Sequence, residues 1–274
     1  IIHIEILPLI PFLGELILKV RKIPFIIDID DAVYFKFQNK NSLFNFIYKY
    51  KFRSMIKNSN GVLAGNDFHL KYFAGLNPNI FYLPTVIDLN KYNHYLNNKK
   101  NSIFTVVWIG TPSTSIYLIK LIPILNKLID KHMIKVKIIG ADKNYIKDLK
   151  CDFTEWSEKS ELEELSSCHV GIMPLDNNEW ELGKCGYKIL QYMALKLAVI
   201  ASPIGVNKEI IVDGRNGFFA INKEDWYDQI LKLKNNHSLT EKLGNNGYET
   251  VKSNFNLNHY KKKYNEIINF VYYN

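Results

Sequence analysis

The sequence predicts an α/β protein with two doubly wound, Rossmann-like domains, the first of them incomplete. Short apolar runs rich in β-branched residues alternate with longer helical stretches, which is the pattern of βαβ units and parallel sheets. The length of 274 residues suits about two domains. A hydrophobic content of 47% and a charged content of 23% are typical of globular proteins and exclude wholesale disorder or a collagen-like chain.

The predicted strands are mostly continuous apolar runs, as expected where both faces of a strand are buried. They cover residues 1–7, 24–28, 61–64, 80–83, 105–109, 135–139, 169–173 and 198–201. The predicted helices cover residues 12–21, 43–57, 68–74, 116–131, 184–196, 223–236, 239–253 and 257–271.

A domain boundary is predicted where the chain leaves a strand through Pro84 and enters the polar stretch 97–101. We expect a first domain of residues 1–88, a second of residues 89–255, and a C-terminal helix, residues 256–274, that packs back toward the first domain. The sequence begins at Ile1 without Met, inside a strand-like run, and its first domain has only four predicted strands. We therefore expect an N-terminal truncation that removes the opening strand and its loop.

The net charge of +8 suggests nucleic acid as a partner, but the kinds of residue that carry it argue against this. Only three of the 35 basic residues are Arg, the residue on which base recognition leans most. Much of the Lys, Asn and Ile content could equally reflect A/T-rich codons. The three cysteines form no CxxC pair, which favours a reduced, cytoplasmic protein.

The segment from Lys36 to Lys57 is basic and aromatic. It contains six basic residues and no acid, with Phe and Tyr interleaved between them. Such a helix suits the surface of an anionic membrane, which would place the protein at the inner face of the membrane. A solvated face on a helix that packs against the core explains the pattern equally well.

Two loops that follow predicted strands have the composition of ligand-binding loops, and ligands bind open α/β sheets beyond the carboxyl ends of the strands. The first runs from Gly110 to Thr114, where glycine permits a tight turn and the free N–H groups of a helix start suit a phosphate. An ordinary capped turn is the alternative. In the second loop, Trp156 could stack on a base or simply pack.

A third loop is the most informative, because it ends in glycines and lysines at a helix start. Gly183 and Gly186 flank Lys184, Lys188 lies one turn further on, and Gln191 shares its helix face. Two lysines at the positive end of a helix would neutralise a diphosphate, and Gln191 could bond a ribose hydroxyl. In the alternative reading, both lysines are solvated.

The residues from 183 to 218 resemble the nucleotide-sugar-binding half of family 4 glycosyltransferases, which are retaining enzymes of the two-domain GT-B fold. Further segments resemble one branch of that family and keep its order along the chain. They are residues 28–33, 65–68, 83–88 and 108–114. The resemblance covers nearly the whole chain.

The resemblance implies transfer of a sugar from a nucleotide diphosphate sugar to a glycan, a lipid-linked sugar or a cell-surface polymer. It implies retention of configuration, no obligate metal or other cofactor, and a donor that lies against the second domain. Lys184 and Lys188 would be the catalytic residues, since they would stabilise the charge that develops on the leaving diphosphate. The implied donor-binding residues are Gly110, Thr111, Ser113, Thr114, Trp156, Ser157, Glu181, Gly183, Gly186, Tyr187, Gln191 and Glu209.

The sequence departs from the family pattern at two acidic positions. The family carries two Glu that fall here on Gly183 and Gln191; Glu179 and Glu181 are the candidates to replace the first. The family's basic residues after the early glycine turn have no counterpart behind Gly110. These departures keep an alternative open, namely an inactive nucleotide-sugar-binding or scaffolding remnant of such an enzyme.

A metal site is the alternative function for the acidic run at residues 28–31. Carboxylates at this density can hold Mg²⁺ or Mn²⁺. We expect instead a strand-end loop that faces the cleft, and the seven histidines show no metal-ligand spacing.

Overall fold

The computed structural model describes residues 2–4, 14–37 and 43–273. The chain forms two compact units. The first comprises Ile1–Thr85, Asn177–Cys185 and Asn258–Asn274, and the second comprises Val86–Asp176 and Gly186–Leu257. No helix in the described ranges combines the length and the apolar character needed to cross a bilayer.

The first unit contains a parallel sheet whose strands follow one another in the order β1-β2-β3-β4. The strands are β1 (Ile2–Ile4), β2 (Phe25–Ile29), β3 (Gly61–Ala64) and β4 (Ile80–Tyr82). The helices are α1 (Gly14–Val20), a 3₁₀ helix (Val33–Phe37), α2 (Leu43–Asn58), α3 (Asp67–Phe73), α7 (Glu179–Leu182) and α12 (Leu257–Tyr273).

The first sheet is covered on both faces. Phe25 and Ile27 of β2 belong to a core with Met55 of α2, whereas Ile26 between them packs in a cluster with Val271 of α12. Alternate residues of a strand point to opposite faces, so helices lie on both sides of this sheet.

The second unit contains a six-stranded parallel sheet in the order β10-β9-β8-β5-β6-β7. The strands are β5 (Thr105–Ile109), β6 (Lys135–Ile139), β7 (Asp152–Thr154), β8 (Val170–Met173), β9 (Ala198–Ala201) and β10 (Phe218–Phe219). From β5 the chain adds strands outward on one side through β7, and from β8 outward on the other. The topological switch point therefore lies between β5 and β8, where ligands bind such sheets.

The helices of the second unit lie on both faces of its sheet. Val107 and Ile109 share a core with α8, whereas Val106 and Trp108 pack with α4 and α10. The helices are three 3₁₀ segments (Leu89–Lys91, Asn93–Tyr95 and Pro112–Leu121), α4 (Ile122–His132), α5 (Lys143–Ile146), α6 (Glu161–Ser166), α8 (Tyr187–Ala194), α9 (Asn207–Ile210), α10 (Lys223–Asn235) and α11 (His237–Asn254).

Four predicted strands are confirmed residue for residue, namely β3, β5, β6 and β9. The prediction of one helix over residues 116–131 is wrong, because a 3₁₀ helix ends at Leu121 and α4 starts afresh with Pro123 in its first turn. Proline has no N–H to donate, so a new helix tolerates it only at the start. Strands β7 and β10 were not predicted, since they have only three and two residues.

Candidate functional site

The turn after β5 presents a cluster of hydroxyl groups beside a helix start. The Gly110 N–H donates to the carbonyl of Ile139 at 3.0 Å, which ties the turn to β6. The Thr111 N–H donates to Thr114 Oγ1 at 3.1 Å, and the hydroxyls of Thr111 and Ser113 lie 3.1 Å apart. Thr111 and Ser113 are exposed, so their hydroxyls are available to a ligand.

Two glycine turns lie against each other at this edge of the sheet. Gly140 follows β6 with φ of +74°, a conformation that favours glycine. A Cβ at Gly140 would collide with the carbonyl oxygen of Gly110 and would lie 2.9 Å from the Cβ of Trp156. Three segments therefore lie next to one another, namely the turn after β5, the turn after β6 and the loop that contains Trp156. No side chain of Gly110 or Gly140 separates them.

Helix α8 brings Lys188 to the turn after β5. The Lys188 ammonium lies 3.4 Å from Thr114 Oγ1 and 4.5 Å from the centre of the Trp108 ring. A Cβ at Gly110 would lie only 2.6 Å from that ammonium. The absence of a side chain at Gly110 therefore makes room for a cation next to the hydroxyl cluster.

The start of α8 is fixed by close packing. Gly186 precedes the helix with φ of +74°, and a Cβ there would lie 2.6 Å from Ile210 and 2.9 Å from Val206. The first N–H groups of a helix have no partner within the helix and favour an anion. Helix α8 thus offers donors and Lys188 offers a charge.

Glu161, a residue that the sequence analysis did not select, links two of the residues that it did select. Its Oε2 accepts from Trp156 Nε1 at 2.6 Å, and its Oε1 lies 3.4 Å from Gln191 Nε2. Gln191 is buried, and Trp156 is 55% exposed. The start of the acidic helix α6, five residues after Trp156, was the available signal, but only the fold shows that it approaches Gln191.

A buried phenol completes this side of the second unit. Burial raises the pKa of Tyr92, and the neighbouring Tyr187 adds to this effect. Tyr92 is therefore a neutral hydrogen-bonding group that sequence reasoning did not select. Its position in a predicted linker gave no signal.

Three other predicted residues of the second unit lie on its surface. Tyr187 is the first residue of α8 and is 42% exposed. Ser157 is exposed beside Trp156. Glu209 is exposed on α9, the short helix whose Val206 and Ile210 flank Gly186.

The structure places the remaining predicted residues in the first unit. Gly183 and Lys184 end the segment Asn177–Cys185. Glu181 of the same segment is buried, and the Lys184 ammonium lies 5.7 Å from the centre of the Trp180 ring. The predicted residues thus fall into two groups, one in each unit.

Asp28 of the acidic run lies in β2, and Asp30 and Asp31 follow that strand in a loop of the first unit. Asp30 Oδ1 accepts from the Thr85 hydroxyl at 3.2 Å. Across residues 2–4, 14–37 and 43–273, no three His, Cys, Asp or Glu side chains are grouped so that they could hold a metal ion.

The basic aromatic segment is only partly on the surface. Lys49, Arg53 and Lys57 of α2 are exposed, as are the Phe46 and Tyr50 rings. Two other members are in the interior: Lys51 forms a buried ion pair with Glu15, and Phe52 is part of the core. The side chains of Lys36 and Phe44, and the whole of Lys40, lie outside the described residues.

Part of this chain, which includes the candidate site of the second unit, is similar to a known family. Residues 103–236 match the family model of glycosyl transferases group 1. The match includes the turns after β5 and β6, the Trp156 loop and helix α8. The matched region thus contains the candidate site of the second unit.

Two curated proteins are also similar to parts of this chain. Both are uncharacterized glycosyltransferases of Methanocaldococcus jannaschii. MJ1069 is 29% identical over 99 residues, which is 34% of this chain and 25% of that protein. MJ1178 is 41% identical over 69 residues, which is 24% of this chain and 20% of that protein. The chain thus matches a quarter or less of the length of these relatives.

Solved structures confirm the predicted GT-B fold of parallel α/β sheets. Anabaena HepE in complex with UDP-glucose superposes with a TM-score of 0.73 at 14% identity, over 93% of this chain and 75% of that one. TarM gives 0.68 at 18% identity, over 90% of this chain and 50% of that one. Sucrose-phosphate synthase from Thermosynechococcus elongatus gives 0.72 at 14% identity, over 94% and 71%.

Proposed function

We propose that this chain is a retaining glycosyltransferase of family 4 that moves a sugar from a nucleotide diphosphate sugar to an acceptor. The observation that carries the proposal is the position of Lys188. Its ammonium lies beside the Gly110–Thr114 turn, and Lys188 is the second residue of α8, at the switch-point edge of the sheet. A cation, hydroxyl groups and the N–H groups of a helix start are the kinds of donor that bind a diphosphate.

The catalytic contribution of Lys188 would be electrostatic. When the bond between the sugar and the diphosphate breaks, negative charge builds on the leaving oxygen. A fixed ammonium and fixed N–H groups stabilise that charge without having to reorganise. Lys184 is a second candidate for stabilising the leaving diphosphate. The variant Lys184→Ala tests this role of Lys184 separately from that of Lys188.

The nucleoside would lie along Trp156, Glu161 and Gln191. The exposed Trp156 ring offers a face for a base, and its N–H is held by Glu161. Glu161 and Gln191 together present oxygens and an amide to ribose hydroxyls. Since the HepE structures contain UDP or UDP-glucose, we propose uridine as the first nucleoside to test.

We propose that the reaction needs no metal ion, because Lys188 and helix α8 can supply the positive charge that a metal would otherwise provide. Donor turnover should then be the same in EDTA as in Mg²⁺. A rate that collapses in EDTA and returns with Mg²⁺ or Mn²⁺ would contradict this part of the proposal.

Helix α2 supports a proposal about the acceptor of the sugar. Exposed Lys49, Arg53 and Lys57 together with exposed Phe46 and Tyr50 suit an anionic membrane surface. We propose that the protein works at the inner face of the membrane on a lipid-linked or polymeric acceptor. It should sediment with vesicles containing anionic lipid, and Lys49→Glu with Arg53→Glu should release it.

The experiment that tests the donor proposal has two stages. In the first stage, calorimetric titration with UDP and GDP shows whether a nucleoside diphosphate binds. In the second stage, incubation with UDP-sugars and GDP-sugars shows whether the donor is turned over. We expect UDP to bind and Lys188→Ala to weaken its binding. If neither nucleotide binds the folded chain, the proposed donor site is contradicted. If a donor binds and is never turned over, the proposed sugar transfer is contradicted.

A further inference from the structure

The segment Asn177–Cys185 is held by contacts with other residues of the first unit. The chain leaves the second unit after Asp176, packs as part of the first unit, and re-enters the second at Gly186. Within the segment, Asn178 caps the short helix α7 by accepting the N–H groups of Trp180 and Glu181 at 3.0 and 3.3 Å. After α7 come Gly183 and Lys184, the last residues before Cys185 and the start of α8.

Asn66 makes two different hydrogen bonds, one local and one to this segment. Its Oδ1 accepts the N–H of His69 at 2.9 Å and so caps helix α3. Its Nδ2 donates to the carbonyl of Lys184 at 3.0 Å, across 118 residues of sequence. The side chain is completely buried. A cap requires only the acceptor, so the amide N–H serves the segment alone.

His69 holds the neighbouring carbonyl. Its Nε2 lies 3.0 Å from the carbonyl oxygen of Gly183 and 3.3 Å from that of Asp30. Carbonyl oxygens only accept, so Nε2 carries the proton and Nδ1 accepts from the Tyr34 hydroxyl at 3.0 Å. Burial lowers the pKa of His69, which keeps the ring in this neutral tautomer.

At Gly183 the segment packs closely against Ala32 of the same unit. A Cβ there would collide with the Cβ of Ala32 and would lie 3.2 Å from its Cα and N. Any side chain at position 183 would therefore push the backbone away from His69. This contact gives a physical reason for glycine at a position where the family pattern carries Glu.

We propose that Asn66 and His69 are positioning residues for donor binding. They hold the carbonyl groups of Gly183 and Lys184 and so fix the backbone that enters helix α8, which carries Lys188. This inference rests on the proposed function for its effect on donor affinity. Neither residue touches the donor; both act through the backbone, and Tyr34 orients the His69 ring.

Asn66→Ser separates the two roles of Asn66. Serine caps a helix as well as asparagine does but is too short to reach the Lys184 carbonyl. We expect a melting temperature within a few degrees of wild type, a Kd for UDP raised about 3- to 10-fold, and a KM effect larger than the kcat effect. Deuterium uptake at residues 177–187 should rise and uptake in α10 should not. Asn66→Asp, which also keeps the cap, replaces the serine variant if that variant does not fold.

Two comparisons complete the test. Asn236→Ser changes an exposed helix cap of α11 and should leave both UDP affinity and exchange at 177–187 unchanged. His69→Gln keeps an N–H donor and should bind UDP more tightly than His69→Leu.

The outcomes judge the two proposals separately. Unchanged exchange in Asn66→Ser overturns the positioning role, as does faster exchange with unchanged UDP affinity. If wild type binds no nucleoside diphosphate, the proposed function fails, and the exchange data alone judge whether Asn66 and His69 hold the segment.

Discussion

Helix α8 and the segment Asn177–Cys185 are neighbours in the chain but are held by different forces. Helix α8 is packed by buried apolar side chains, among them Ile189, Leu190 and Met193. The segment is held by hydrogen bonds from Asn66 and His69 to its backbone carbonyls. Apolar packing spreads its free energy over many atoms, whereas each hydrogen bond depends on one donor. A single substitution at Asn66 or His69 should therefore loosen the segment, whereas no single apolar substitution in α8 removes all of the packing of that helix.

The largest effect should come from Lys188→Ala, which leaves the packing of α8 intact and removes its charge. A charged hydrogen bond to phosphate contributes about 1.5–3 kcal/mol, so the Kd for UDP should rise about 10- to 150-fold. Calorimetric titration measures this. Lys131→Ala, at an exposed lysine of α4 in the same unit, is the matched control and should bind like wild type. Equal affinity of both variants would remove Lys188 from the site.

Gly183→Ala should show how closely the segment fits the first unit. The added methyl group collides with Ala32, so the free energy of unfolding should fall by about 1–3 kcal/mol in urea titrations. Gly75→Ala is the control, because nothing lies within 4 Å of a Cβ at that position. Equal stability of the two variants would mean that the segment does not lie against Ala32.

A fall in pH should weaken both units, through the buried His69 in the first and the half-buried His169 in the second. Burial lowers the pKa of His69, and burial, reinforced by nearby cations, lowers that of His169 to about 4. The unfolded chain takes up protons on these rings below about pH 6.5, where the folded chain does not, so stability is full above that pH and falls below it. The free energy of unfolding should drop by about 1 kcal/mol or more between pH 7 and pH 5. A value independent of pH over this range would contradict neutral, buried rings.

The smallest effect should come from Glu161→Gln. The amide keeps the size of the carboxylate but weakens its bonds to Trp156 and to ribose hydroxyls, so UDP affinity should fall about 3-fold. UMP and uridine should lose affinity by the same factor, since the change lies on the nucleoside side. A loss confined to ligands with a diphosphate would place Glu161 elsewhere in the site.

The sequence predicted the half of the site that depends on local rules. The ends of β5 and β6 followed from apolar runs, and the glycines and hydroxyls behind β5 had to lie at the edge where parallel strands end. The side of α8 that carries Lys188 and Gln191 followed from helical spacing. In such cases a few neighbouring residues determine the position.

The other half of the site depends on hydrogen-bond and ion-pair partners that are far apart in the sequence. The hydrogen bond from Asn66 to Lys184 spans 118 residues, and the sequence analysis gave Asn66 no role of its own. Glu161 looked like an acidic helix start, and Lys51 looked like part of a solvated face until the fold paired it with Glu15. Buried polar pairs of this kind leave no periodicity in the sequence, so only the fold shows them.

We have proposed that the second unit turns over a nucleotide diphosphate sugar with the help of Lys188. The most direct measurement follows UDP-glucose by ³¹P NMR in the presence of wild type and of Lys188→Ala. We expect wild type to release UDP as water takes up the glucosyl group, and the variant, equally folded, to release UDP at least about 10-fold more slowly. Equal rates of UDP release from the two proteins would contradict this proposal.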